Sequence, residues 1–417
     1  MVMVLENKKV LIIGASAKEY ALVKKLQEYK NCKIFVAPGN KRIAEIAECI
    51  DIREDNVNNL LEYALENAID LTIATSEKAI KKDIATLFSS NGQQIFAPSA
   101  KSAEITTSRA IAKKFLYKAR ITTPHFGVYD KLSMAIDYLK SAPMPQVIHA
   151  DNSFEYGDRL VCTTFSTAKT FVEDLFTKNE EKVVFEDYVF GHEFTFYVVT
   201  DGYHAVPLTS VANYKFMEDG DGGLLTTGTG AYAPDYKISK DIENNIMKIV
   251  INPVLEQLQK KETPYTGILG VDCVLTDDGK FVTLNFKPFL SDHDAQAVLS
   301  IVEENLLNLF EACLDGTFED YKATTLTDAA SVACLVSART DGKSIEGLDF
   351  VDSEITPFAI NKNNYLEYET IKGKNFVLTN TARTLSRARK SLYEDLSVIK
   401  FEGIKYRTDI CGNVEKF

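Results

Sequence analysis

The alternation of short apolar runs with helical stretches in residues 1–105 constrains this chain more than any other feature. KKVLIIG (8–14), KIFVAPGN (33–40), DLTIAT (70–75) and QQIFAPSAK (93–101) are rich in β-branched and aromatic residues, and each stops at a glycine, proline or small polar residue. Between them lie stretches with apolar residues at helical spacing, such as Leu22 and Leu26 or LLEYALENAI (60–69). Strands alternating with helices predict a parallel sheet covered by helices. Ligands of such sheets gather at the carboxyl ends of the strands, here Gly14–Tyr20, Pro38–Asn40, Thr75–Lys78 and Pro98–Lys101. In GASAKEYAL (14–22) a glycine leads into a helix, which lets backbone N–H groups approach an anion. A tight strand–helix turn accounts for it equally well.

The style then changes twice. TTSRAIAKKFLYKARI (106–121) reads as a helix with a Thr/Ser cap. On it Arg109 and Lys113 stand four apart, either as two cations for a phosphate or as a solvated face. ITTPHF ends that helix, and a small α/β unit follows to residue 193: VYDKLSMAIDYLK (helix), PQVIHA, LVCTTF, TAKTFVEDLF (helix) and KVVFEDYV. Past Gly191, Asp201-Gly202 and Asp278-Gly279 sit inside alternating apolar runs and predict antiparallel hairpins. Between the hairpins, EDGDGGLLTTGTGAYAP (218–234) is too rich in glycine to pack a core by itself. It reads as a mobile loop closing over substrate, with Thr226, Thr227 and Thr229 as donors, or as a floppy surface loop. A helix presents Ile242, Ile246, Ile249 and Val250 on one face, and NLLNLFEACLD closes the unit near residue 316. The expected units are 1–105, a linking helix 106–121, 122–193, 194–325 and a mixed α/β unit 326–417.

Composition excludes several classes. A net charge of −12 argues against general binding to nucleic acid or acidic membranes. Seven scattered cysteines with no C-x-x-C spacing argue against zinc knuckles and disulfide frameworks. No apolar run approaches a membrane span and the N-terminus has no signal-peptide layout, so a cytoplasmic protein is expected. His149, His192 and His293 show no metal-ligand spacing and read as polar contacts.

Taken in order, VLIIGASAKEYAL, FVAPGN, DLTIATSEKAI, IFAPSAKSAEITTSRAIAKKFL, TGTGAYAP, YTGILGVDCVLTDDGKFVTLNF, SDHDAQ and YRTDI resemble the phosphoribosylamine–glycine ligases of the ATP-grasp superfamily. The resemblance runs over nearly the whole chain. It implies an α/β protein: a Rossmann-like N-terminal domain, a two-part ATP-grasp unit and a C-terminal domain. It further implies ATP and magnesium as cofactors, and glycine and 5-phosphoribosylamine as substrates joined through a glycyl phosphate. Small-molecule partners and a monomer or weak homo-oligomer are expected. Residue by residue, the resemblance assigns Arg109, Lys215 and Asp292 to catalysis. Arg109, Lys113, His149, Gly157, Arg159, Glu186, Glu193 and Lys287 go to ATP. Gly14, Lys18, Glu19, Asn40, Glu77, Thr226, Gly228, Gly230 and Asp292 go to substrate.

Several positions depart from the family pattern. Where it has E-F-N-x-R, this chain has Asn285, Phe286, Lys287, Pro288 and Phe289. One weak metal ligand, Asn285, remains, and a cation stands where a cation would bind. His149 replaces a lysine, and the loop after it keeps only Gly157 and Arg159. These changes predict weakened magnesium–ATP binding and impaired turnover. Lys287 could contact the triphosphate directly in place of a metal. Two other readings stay open: an inactive homologue with a binding or regulatory role, and a ligase for another carboxylate and amine.

Overall fold

The computed structural model describes residues 8–29, 32–152, 157–321, 324–358, 360–362 and 367–412. Its N-terminal sheet is fully parallel, in the order Glu48–Cys49, Cys32–Pro38, Lys8–Gly14, Leu71–Ala74, Ile95–Phe96. Val10, Leu11, Ile12 and Ile13 are all fully buried, as a strand covered on both faces requires. The order reverses beside Lys8–Gly14, so a crevice opens at Gly14. From there the chain enters the helix Ala17–Gln27 through a capping box of Ser16 and Glu19.

A second sheet, entirely antiparallel, joins Phe126–Tyr129, Val183–Asp187, Gln146–Ala150 and Arg159–Cys162 in that order. Its helices, Leu132–Leu139 and Phe165–Thr177, bury Ala135, Leu139, Val172 and Leu175 against it. Phe126–Tyr129 is a strand, so the expected helix VYDKLSMAIDYLK starts only at Leu132.

The third sheet is the largest. Both predicted hairpins form, His192–Asp201 with Ala205–Glu218 and Thr266–Leu275 with Phe281–Lys287. The sheet then continues through Gly222–Ala233 to Ala330–Ala338, Gly373–Ala382 and Glu354–Pro357. Pairing of Gly230–Ala233 with Ser331–Cys334 carries it across the expected boundary at 325 without a break. Two differences from the sequence reading have clear physical causes. The glycine-rich segment is a strand over Gly222–Ala233, because its glycines permit close approach. A Cβ on Gly230 would lie 2.2 Å from Ile410 Cδ1 and 2.7 Å from the Ala333 carbonyl oxygen. On Gly228, at φ +130°, it would lie 2.7 Å from His293 Nδ1. The expected apolar face Ile242–Val250 also breaks: Ile246 and Val250 are buried, while Ile249 is 51 % exposed. A π-turn at Met247–Ile251 widens the helix there and rotates Ile249 outward.

The core does not respect domain lines. One cluster joins Ile12, Leu22 and Phe96 of the N-terminal sheet to Val298, Phe310 and Val377. No helix among the described residues is long and apolar enough to cross a membrane.

Candidate functional site

The three sheets meet at a cleft of about 310 Å³. Its floor follows from strand register. Side chains alternate across a strand, so Glu193, Thr195 and Tyr197 share one face of His192–Asp201. The neighbouring strand sets Asp272 opposite Thr195 and Gly270 opposite Tyr197. The last strand sets Asn285 opposite Asp272 and Lys287 opposite Gly270. Gly270 is needed here, since a Cβ would come 2.5 Å from Tyr197 Cε1 and 3.1 Å from Lys287 Cβ.

This register assembles a charge network on the floor. The Lys287 ammonium donates to Thr195 Oγ1 at 3.0 Å and Asp294 Oδ2 at 3.3 Å, and lies 3.1 Å from Asp272 Oδ1. Asp294 also accepts from Tyr197 Oη at 2.5 Å and from Asn213 Nδ2 at 2.6 Å. Lys215 Nζ stands 2.8 Å from Glu193 and 3.8 Å from Asp272. For Asp272 and Lys287 burial opposes the charge, yet the opposite charges prevail. Asp272 is held well below the carboxylate range by Lys215 and Lys287, and Lys287 is raised well above its ordinary value by Asp272, Tyr197 and Asp294.

The N-terminal crevice supplies the opposite wall. There the helix start at Ala17 faces protein carboxylates. Asp292 Oδ1 accepts the Lys18 N–H at 3.0 Å, and Glu19 Oε2 accepts the Ser16 N–H at 2.6 Å. Gly14 leaves room for that glutamate, because its Cβ would meet Glu19 Oε1 at 2.4 Å. Asp292 is half-buried, and burial opposes its charge, but Lys18 and Ser16 keep its carboxyl below the ordinary range. Two N–H groups of the GASAKEYAL turn, those of Ser16 and Lys18, are thus taken by the chain's own carboxylates.

The third wall belongs to the helix Arg109–Lys118, whose start is fixed by Asp151. That buried carboxylate accepts from Ser108 Oγ and the Ala110 N–H, both at 2.8 Å. Arg109 faces the cleft with Arg159; burial and the neighbouring Arg159 lower its pKa to about 10. Lys113, one turn on, points behind the cleft. It is 1 % exposed and lies 2.6 Å from Glu186 Oε2, while His149 Nε2 lies 3.3 Å from Glu186 Oε1. Burial, with Arg109, pushes His149 down to about 3, so its ring is neutral at physiological pH. Burial opposes the Glu186 charge, but Lys113 and His149 hold it at about 2. The two cations on one helical face thus serve different surroundings.

Of the residues singled out in the sequence, Lys18, Glu77, Arg109, Gly157, Arg159, Lys215, Thr226, Asn285, Lys287 and Asp292 line the cleft together. His149, Glu186 and Glu193 border a hollow of about 50 Å³ that shares Arg109, Lys215 and Asn285 with it. Asn40 stands back from both, donating to the Ala15 carbonyl at 2.8 Å and capping the turn at Ile43. Gly228 and Gly230 serve strand packing. In the loop after His149, residues 153–156 lie outside the described residues. Sequence reading missed Asp272, Thr195, Asn213 and Tyr197. Counting back across the Asp278-Gly279 turn brings Asp272 only near Asn285; a register shift between Asp272 and Cys273, with no signal in the sequence, sets the two opposite each other.

Residues 8–106 match the family described as Phosphoribosylglycinamide synthetase, N domain, and residues 107–295 match its ATP-grasp (A) domain. A phosphoribosylamine–glycine ligase of Caldanaerobacter subterraneus subsp. tengcongensis is 30 % identical, over 97 % of this chain and 99 % of its own length. One from Clostridium acetobutylicum is 28 % identical, over 96 % and 99 %. The crystal structure of the Thermotoga maritima phosphoribosylamine–glycine ligase superposes with a TM-score of 0.82 at 21 % identity, covering 96 % of this chain and all of that one. A biotin carboxylase domain from Hydrogenobacter thermophilus, solved with magnesium ADP, gives 0.74 at 14 % identity, covering 96 % and 91 %. The order of the motifs, the three sheets around one cleft and these matches agree: the chain belongs to the phosphoribosylamine–glycine ligase family of ATP-grasp proteins.

Proposed function

We propose that this protein is a cytoplasmic ligase that joins glycine to 5-phosphoribosylamine at the expense of ATP. In the reaction implied by the family, a glycine carboxylate oxygen attacks the γ-phosphorus of ATP, giving glycyl phosphate and ADP. The amine of phosphoribosylamine then attacks the glycyl carbonyl carbon and phosphate leaves. The observation that carries the reading is the cleft lining, where Lys18, Arg109, Arg159, Lys215 and Lys287 converge from three sheets. A triphosphate and a ribose phosphate both call for such a set of cations. No side chain is required as a nucleophile. The residues act by positioning: Arg109 and Arg159 draw the phosphates to one wall, and Asp292 holds the helix start at Lys18 on the other.

The residues present do not fit the family's magnesium. That ion takes hard anionic oxygens in octahedral geometry. Asn285 offers a neutral oxygen, and the carboxylates nearest to it on the floor are engaged by Lys287 and Lys215. No step is assigned to a metal. The same observation favours a second reading, a nucleotide-binding homologue with little or no turnover. ADP release by the purified protein, dependent on both glycine and phosphoribosylamine, separates the two. Turnover that needs both substrates supports the ligase, and nucleotide binding with no turnover supports the homologue.

A further inference from the structure

The Lys287 ammonium occupies a built site rather than a surface. Its three N–H donors have three oxygen partners, Thr195 Oγ1, Asp272 Oδ1 and Asp294 Oδ2, all within 3.3 Å. The acids are themselves constrained. Asp294 is 1 % exposed, and both of its oxygens already accept hydrogen bonds, from Tyr197 and Asn213. Thr195, also fully buried, donates at 2.5 Å to the Asp272 oxygen that faces the lysine. The opposed strand leaves room for the Tyr197 ring and the base of the Lys287 side chain by carrying Gly270 there. With all three protons committed, Lys287 does not reach out to a phosphate as a donor. It sits under the cleft as a fixed positive charge.

We infer that the Lys287 ammonium is the resident cation of this site, and that the cleft takes a nucleoside triphosphate without a divalent ion. The inference rests on the nucleotide reading of the proposed function and adds its ionic form. A divalent ion entering beside Asn285 would meet the ammonium at close range, and the floor carboxylates there, Asp272, Asp294 and Glu193, each already face a lysine. A metal-free triphosphate carries more negative charge than its magnesium complex and so suits a lining of five cations against four acids.

Calorimetric titration of the intact chain with ATP, once with EDTA and once with excess magnesium, tests this. The expected result is an affinity that magnesium leaves unchanged within about threefold or weakens. Tightening beyond about threefold overturns the inference and leaves the nucleotide reading standing. Absence of ATP binding in both buffers overturns the nucleotide reading itself. A direct probe is Mn²⁺, followed by loss of its free electron-spin resonance signal in the absence of nucleotide. The wild-type chain is expected to retain none at this site, whereas Asn285→Glu with Lys287→Asn is expected to retain about one ion per chain. Retention by the wild-type chain that Asn285→Glu, Lys287→Asn does not increase overturns the inference.

Discussion

At the scale of single residues, the floor of the cleft is held by charge balance. Lys287 is the shared partner of Asp272 and Asp294, and both acids are nearly buried. Removing one partner of such a group leaves uncompensated buried charge. Lys287→Met is therefore expected to destabilise the fold by about 3 kcal/mol, read from the midpoint of urea unfolding. Asp294→Asn, which keeps the shape and loses one negative charge, should cost clearly less. His149 gives a prediction in pH. In the unfolded chain its ring titrates near 6.5, whereas burial pushes the folded value down to about 3. Between those values the unfolded state binds the extra proton, so its contribution is complete above about pH 6.5 and is lost as the pH falls. His293, pushed down to about 4 by burial and Lys374, acts in the same direction. His149→Gln should remove about 1.4 kcal/mol per pH unit from the slope of stability between pH 4.5 and 6.

At the scale of elements, register did what composition could not. The hairpins at Asp201-Gly202 and Asp278-Gly279 were legible because turn chemistry and alternation agree there. The parallel N-terminal sheet was legible from its short buried runs. The strand Gly222–Ala233 was not, because glycine frequency says nothing of which neighbours press on the backbone. Gly230 lies against Ile410 and the Ala333 carbonyl, residues far along the chain. The same limit hid the Lys113–Glu186–His149 cluster, since residues on a helix and two strands meet there only in the folded chain. It also hid the roles of Asp272 and Thr195, which depend on cross-strand pairing. Gly230→Ala is expected to lower stability by about 2 kcal/mol through overpacking. Gly222→Ala, whose nearest atom would be 3.4 Å away, should be close to neutral. Thermal unfolding of the two variants side by side checks whether the segment is packed or loose.

At the scale of the molecule, the N-terminal unit is bound to the rest through its core and not through a linker alone. Phe96 stacks on Phe310 with ring centroids 4.1 Å apart. Gln296 donates to the Ala17 carbonyl at 2.9 Å and accepts from Thr356 at 2.7 Å, tying the first helix to the C-terminal part of the large sheet. Residues 1–105 alone would expose Ile12, Leu22 and Phe96, which lie in the shared cluster. That fragment is expected not to fold independently. The whole chain is expected to unfold as a unit in its N-terminal and central parts, seen as coincident transitions by near-UV and far-UV circular dichroism. A stable fragment would show that the unit expected over 1–105 is autonomous.

Lys287 also governs the order in which this site can change. An Asn285→Glu step taken first adds an acid that the existing lysine can balance. A Lys287→Asn step taken first leaves buried Asp294 without its lysine and Asp272 with only the more distant Lys215. The two substitutions are thus expected to be epistatic in sign, with the path through Asn285→Glu the one that stays folded. If the ammonium is the site's resident cation, a metal-binding site is reached by a single route, which makes the lysine a ratchet as much as a counter-charge.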